Sequence, residues 1–240
     1  PNGIAADAPV ETVTGTLEDE AAVRLLLAGA DAVIHAAGLI KSWTPRALFN
    51  VNQTLAGRFA EAARVFAPEA RFLLISSLAA REPQLSPYAA SKRGGETAVA
   101  LALSGAARAP LVLRPPAVYG PGDRETLRLF AMAQKGRIII PDRPEARLGF
   151  IAVGDLAGAA EALLESPAEA AGTFECSDEA ADGYGWKEIA ALAGAAVGHH
   201  VVPVPIPAWG VRAAGAVGSA LHWFGLGDPQ LSRGKAREIL

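Results

Sequence analysis

The sequence predicts an α/β protein, a doubly wound parallel sheet with a smaller, mixed C-terminal lobe. Three observations lead there. Short β-branched runs alternate with longer Ala/Leu-rich stretches through the first half of the chain, the pattern of strands joined by helical crossovers. Hydrophobic residues make up 51% of the 240 residues and charged ones 20%, so there is apolar material for both faces of a sheet. The segments that follow successive strands, such as Ala36-Ala37-Gly38 and Ser76-Ser77, all fall at the same edge of that sheet.

The elements follow in order. Val10 to Val13 reads as a strand and Glu18 to Gly29 as a helix with acidic residues in its first turn. Ala32 to His35 is a buried strand, and a long helix begins near Pro45 with Thr44 as its cap and runs towards Phe66, before Pro68. Phe72 to Ile75 is the next strand, Pro87 to Leu103 the next helix, and Leu111 to Leu113 the strand after that. Beyond Pro115 the pattern loosens: Ile138 to Ile140 and Thr173 to Cys176 are strands between helices, Asp155 caps a helix running to Glu165, and Pro203, Pro205 and Pro207 read as a stiff connection. Residues 1–115 are therefore expected to form the sheet core, and 116–240 a lobe interleaved with its last strands.

Composition narrows the function. The net charge is -3 with no basic block, which argues against nucleic acid and for a small-molecule substrate. A lone Cys176 cannot form an internal disulfide, which favours the cytoplasm. Ile206 to Leu226 carries Arg212, His222 and several glycines and reads as a packing helix, although Trp209, Trp223 and Phe224 leave a membrane contact open. A homodimer is the expected assembly. The first residue is Pro1 and the only methionine is Met132, consistent with processing or with a fragment.

The strongest chemical signal is Tyr88-Ala89-Ala90-Ser91-Lys92 at the start of a predicted helix, where the spacing puts Tyr88 and Lys92 on one face. An adjacent ammonium favours the phenolate and brings a tyrosine towards useful acid/base range. The alternative is a surface helix pair. Ser76-Ser77 follows a strand, where a hydroxyl would point into the crevice in which such sheets bind ligands; serine pairs there are also common turn and cap residues.

Together these segments resemble the extended, epimerase-like branch of the short-chain dehydrogenase/reductase superfamily. Ser77 with Tyr88-x-x-x-Lys92 is similar to its catalytic set, His35-Ala36-Ala37-Gly38 to a turn against its cofactor, and Asn50-Val51-Asn52 with Thr54 to a helix segment. Leu113 to Asp123 resembles the loop past the nicotinamide, and Phe150 to Ala157 a later family segment.

The resemblance implies a Rossmann-like fold, NAD or NADP as cofactor, and hydride transfer at a hydroxyl or carbonyl carbon by an oxidoreductase or epimerase. Tyr88 would be the general acid/base, Ser77 would orient the substrate oxygen, and Lys92 would serve Tyr88 and the nicotinamide ribose. Pro115 and Val118 would lie by the nicotinamide. His35, Ala36, Ala37, Gly38 and Asn52 would line the cofactor, and Leu17 would meet the adenine, with Thr16 where the family has an Asp. The alternative is a non-catalytic dinucleotide-binding assembly or regulatory subunit.

Two departures accompany the resemblance. The Gly-rich phosphate turn is absent from these residues, as is the residue that selects NAD or NADP, so roughly 40 further residues are expected upstream and this stretch alone should bind the dinucleotide weakly. The interval from Ser77 to Tyr88 is also shorter than in sugar-nucleotide epimerases, which leaves an apolar alcohol or ketone competing with a sugar nucleotide as substrate. Elsewhere, His199-His200 lacks metal-ligand spacing and reads as a loop, and Cys176 reads as core. Arg124 and Arg147 stand either as anion contacts or as surface charges.

Overall fold

A computed structural model describes residues 10–123, 125–167, 170–180, 182–223 and 233–239. They pack as two units: residues up to Pro115 together with Ala157–Cys176, and Pro116–Leu156 together with the residues from Ser177 onward. Among the described residues no helix is long and apolar enough to cross a membrane.

The first unit is built on strands β1 (Ala32–His35), β2 (Arg71–Ile75), β3 (Leu111–Arg114) and β8 (Gly172–Glu175), all parallel, in the order β1-β2-β3-β8. β2 is central and apolar after its first residue, and Leu73 is wholly buried, a burial that stabilises by about 2 kcal/mol. Helices α1 (Glu20–Leu27), α2 (Pro45–Phe49), α3 (Ala56–Phe66) and α4 (Pro87–Ala102) complete the crossovers. Val23, Leu27, Val33, Phe59, Ala63, Phe72, Val99 and Val112 form one core cluster.

The helix starts follow local rules. Asp19 Oδ1 accepts from the N–H groups of Ala21 and Ala22 at 3.0 and 3.2 Å, and Thr44 Oγ1 caps α2 by accepting from Ala47 N at 3.3 Å ahead of Pro45. Ser86 does the same for α4, accepting from Ala89 N at 3.0 Å ahead of Pro87. The long helix predicted from Pro45 to Phe66 is not uniform: α2 and α3 are joined by a π-helical segment, Asn50–Leu55. Val10 to Val13 is not a strand: among the described residues no ladder partner pairs with it, and an extended segment without one has no inter-strand hydrogen bonds.

Arg71 opens β2 with a buried guanidinium that donates to Ser166 O (2.8 Å), Ser166 Oγ (3.0 Å), Pro167 O (3.0 Å) and Ala170 O (3.1 Å). These charge-assisted bonds satisfy carbonyls on the segment that leads into β8, so one cation joins two stretches of this unit far apart in sequence.

In the second unit β5 (Arg137–Pro141) pairs in parallel with β10 (Val202–Ile206), and α5 (Leu127–Gln134) and α7 (Trp186–Val197) contribute Ala133, Ala190 and Ala193 to a core with Ile138 and Ile140. Two short pairs accompany it, β4 (Ala117–Tyr119) with β7 (Phe150–Ala152) and β6 (Arg147–Leu148) with β9 (Tyr184–Gly185). The helices α8 (Ala208–Trp223) and α9 (Arg233–Ile239) follow β10.

The structure departs from two further readings of the sequence. The run with Pro203 and Pro205 is a strand rather than a connection: Val202 N donates to Gly136 O at 2.9 Å, so the alternate prolines place their missing N–H groups on the unpaired side. Asp155 lies in the first turn of α6 (Val153–Glu165) rather than at its cap, where its charge still complements the helix dipole.

Glycines fix the closest approach in the first unit. A Cβ on Gly95 of α4 would stand 2.1 Å from Asn52 O of the π-helical segment, whereas one on exposed Gly158 of α6 would meet nothing within 4 Å. Gly95→Ala should therefore destabilise by about 2–3 kcal/mol through overpacking, while Gly158→Ala should gain up to about 1 kcal/mol of helix propensity. Denaturant midpoints of the two variants check this; equal midpoints would remove Gly95 as the point of closest approach.

Candidate active site

The predicted residues of the first unit gather at the carboxyl edge of its sheet, where the parallel strands release their loops. β1 ends in His35 and passes into exposed Ala36, Ala37 and Gly38; β2 ends in Ile75 and passes into buried Ser76 and half-buried Ser77. α4 carries half-buried Tyr88 and buried Lys92 one turn apart on a common face. Lys92 Nζ donates to Ile75 O at 2.8 Å, which draws the ammonium to the end of β2.

The two serines divide their work. Ser76 Oγ donates to Glu96 Oε1 at 2.5 Å inside the core. Ser77 Oγ accepts from Ala79 N at 3.2 Å and caps a short 3-10 helix, Leu78–Arg81, which leaves the Ser77 hydroxyl proton to be donated elsewhere. Hydrogen bonds from Ser76 N to Leu113 O (2.7 Å) and from Leu78 N to Pro115 O (2.8 Å) tie this stretch to β3 and the residue that follows it.

Asn52 is buried and its amide is committed within the protein. Oδ1 accepts from Leu39 N at 2.8 Å, while Nδ2 donates to Leu39 O at 2.8 Å and to Ser91 Oγ at 2.9 Å. The side chain therefore fixes the loop after Gly38 and one face of α4 together. A Cβ on Gly38 would sit 3.1 Å from Asn52 Oδ1 and 3.7 Å from Lys92 Nζ, so the loop passes these groups closely.

Burial sets the titration of this edge. Burial first pulls Lys92 down to about 8, and the Glu96 carboxylate works in the opposite direction. Burial, then the Lys92 charge, pulls His35 down to about 4, so its ring is neutral; the ring stacks tilted on Phe59, and Nε2 has no hydrogen-bond partner.

Leu17 packs against the first core, Pro115 is buried after β3, and Val118 lies half-buried in β4 of the second unit. Arg147 forms an exposed pair with Glu188 at 3.5 Å, and Arg124 and Phe224 lie outside the described residues. Cys176 is half-buried with its thiol pushed up by burial and by Glu175. His199 and His200 are exposed, and no group of metal-ligating residues exists among the described residues. Sequence reasoning missed Ser91, Glu96 and Arg114. Glu96 follows Lys92 at the same four-residue spacing that singled out Tyr88 and Lys92, which could have found it.

A family model described as the NAD dependent epimerase/dehydratase family matches residues 2–176. The chain is 44% identical over 236 residues to a ceramide reductase of Caulobacter vibrioides (strain NA1000 / CB15N), covering 98% of this chain and 71% of that protein. Among solved structures, MoeE5 in complex with UDP-glucuronic acid and NAD is similar with a TM-score of 0.67 at 19% identity, covering 80% of this chain and 71% of that one. A dTDP-4-dehydrorhamnose reductase from Bacillus anthracis str. Ames in complex with NADP gives a TM-score of 0.65 at 17% identity, covering 92% and 84%. At such identities the structures establish the fold, a Rossmann-like parallel sheet.

The residues present fit a dinucleotide on its nicotinamide-ribose side: a buried ammonium at the end of β2 and the half-buried Ser77 and Tyr88 hydroxyls at the same edge are suited to a sugar diol.

Because His35 titrates near 6.5 unfolded and about 4 folded, only the unfolded chain takes up a proton between those values. Its contribution to stability is complete above pH 6.5 and is lost as pH falls towards 4. His35→Leu should therefore lose less stability than the wild type over that interval, by up to on the order of 3 kcal/mol, read from urea unfolding at a series of pH values. Parallel curves for the two proteins would show that His35 titrates normally.

Proposed function

This chain belongs to the NAD dependent epimerase/dehydratase family, and from that premise we propose that it reduces a ketone on a ceramide-class lipid to a secondary alcohol, with Tyr88 as proton donor. Membership makes it an NAD(P)-dependent enzyme of oxidoreductase or epimerase type. The observation that carries the finer reading is Lys92 Nζ held 2.8 Å from Ile75 O, beside the serines that end β2 and one helical turn from Tyr88.

When bound, NAD(P)H would supply a hydride for the carbonyl carbon, with Lys92 placed to hold its nicotinamide ribose. Ser77 donates its hydroxyl proton in a hydrogen bond to the substrate oxygen while accepting from Ala79 N, which fixes its rotamer. Tyr88 transfers its proton to that oxygen as the C–O double bond becomes single, and the nearby Lys92 ammonium favours the phenolate left behind. Hydride and proton together convert the ketone to the alcohol. The Ile75 carbonyl keeps the ammonium from swinging away from this work.

The substrate class rests on likeness to the ceramide reductase and on Leu78, Ala79 and Ala80, which set an apolar stretch directly after Ser77. A cytoplasmic location and a homodimer complete the reading.

Tyr88→Phe should lower turnover of long-chain keto-amide lipids by about 10²-fold or more and leave NAD(P)H affinity nearly unchanged, measured by cofactor oxidation and by fluorescence titration. Retention of more than about a tenth of the rate would remove Tyr88 from the role.

Ser77→Ala and Ser76→Ala separate cleanly by readout. Ser77→Ala should reduce kcat with little loss of stability. Ser76→Ala should cost about 1–3 kcal/mol of stability, because it removes a donor from a buried carboxylate, with a smaller effect on kcat. The reverse pattern would assign the substrate contact to Ser76.

A further inference from the structure

A file of alternating charges runs from the surface of the first unit to Lys92. Arg81 in the 3-10 helix forms a paired contact with Glu175 of β8, with Arg81 Nε donating to Oε1 at 2.6 Å. Glu175 lies 3.5 Å from Arg114 Nη1 of β3. Arg114 then grips Glu96 of α4 with both arms, Nε to Oε1 at 2.8 Å and Nη2 to Oε2 at 2.6 Å. Side-chain exposure falls along the file, 56% at Arg81, 30% at Glu175, 10% at Arg114 and 9% at Glu96, and ends at buried Lys92 one turn back along α4.

A buried ion pair of this kind contributes little net stability, because desolvation offsets most of the attraction; its placement asks for another role. Glu96 is held by more than Arg114: the Ser76 hydroxyl donates to the same oxygen that Arg114 Nε reaches, and Arg93 approaches from the surface at 3.6 Å. Three hydrogen-bond donors and a nearby guanidinium converge on this carboxylate, which stands one turn from the buried ammonium of Lys92.

We propose that Glu96, held by Arg114 and Ser76, is a positioning residue of the proton-transfer site, which supplies the charge that keeps Lys92 an ammonium and locks α4 to the end of β2. The proposal rests on the reading of Tyr88 and Lys92 given above but acts through Lys92 alone. Two links cross from α4 to successive residues of the strand end, Lys92 to Ile75 O and Glu96 to Ser76 Oγ, so orientation and charge are set by one carboxylate. The titratable groups around Lys92 are Tyr88 and Glu96 on its own helix and His35 from β1; Arg93 on α4, Arg114 from β3 and Glu175 from β8 act on it through Glu96. His35 is neutral at pH 7, which leaves Glu96 as the anion that offsets the burial of Lys92.

Competitive labelling with acetic anhydride across a pH series, read lysine by lysine by mass spectrometry, measures the midpoint of Lys92 against exposed Lys135 and Lys187. Glu96→Gln keeps an acceptor for Ser76 but removes the charge, and should lower the Lys92 midpoint from about 8 by about one unit, which makes the amine about fivefold more reactive at pH 7 with the standards unmoved. Glu96→Asp should restore most of the shift, which a purely structural role would not predict.

In the whole enzyme the alkaline limb of the kcat profile should move down by the same amount. If Glu96→Gln does not fold, Glu175→Gln at the partly exposed link should lower the midpoint by a few tenths of a unit. An unchanged midpoint in the folded variant overturns the proposal. A shifted midpoint in a protein that reduces no lipid ketone would uphold the role of Glu96 and overturn the function proposed for the site.

Discussion

Between the end of β2 and the second turn of α4, an ammonium meets a backbone carbonyl at 2.8 Å and a serine hydroxyl meets a carboxylate at 2.5 Å. Charge-assisted bonds of this kind contribute about 1.5–3 kcal/mol each, comparable to a buried leucine at about 2 kcal/mol. Their weight comes from position. They join the end of β2 directly to α4 and fix the register of the helix against the strand. Apolar packing is non-directional; a charged pair with fixed donors is not.

Holding polar groups inside that edge requires partners for each of them, and the π-helical segment Asn50–Leu55 helps to supply them. Its extra residue per turn accompanies an inward Asn52 whose amide joins the loop after Gly38 to Ser91 of α4. Gly95 lets the helix come close enough for this, since any Cβ would collide with Asn52 O. The local departure from α-geometry and the choice of glycine are thus two parts of one arrangement, and both sit beside the residues proposed for catalysis.

The second unit works by different means. It has small sheets, a compact apolar core around Ile138 and Ile140, and an aromatic chain in which Phe150 lies 6.5 Å from Tyr119 and 6.0 Å from Tyr184, centroid to centroid. Tyr184 donates to Asp178 Oδ2 at 2.7 Å, which holds one end of that chain in place.

Strands β1, β2, β3 and β8, the cap at Thr44 and the placing of Tyr88 and Lys92 on one face were legible in the sequence, because each depends on neighbours within a few residues. The sequence also carried the family, since His35 to Gly38, Asn52 and Leu113 to Asp123 appear in order with fixed residue types. Only tertiary structure decided the rest. Glu96 and Arg114 meet across 18 residues, and Arg114 and Glu175 across 61, so nothing local marks them as partners. The prolines of β10 look like a breaker until β5 is placed on the side opposite their missing N–H groups, and Val10 to Val13 looks like a strand until no ladder partner is found among the described residues. Short-range capping and periodicity are written along the chain, whereas the pairing of buried charges and of strand edges is settled by which segments the fold brings side by side.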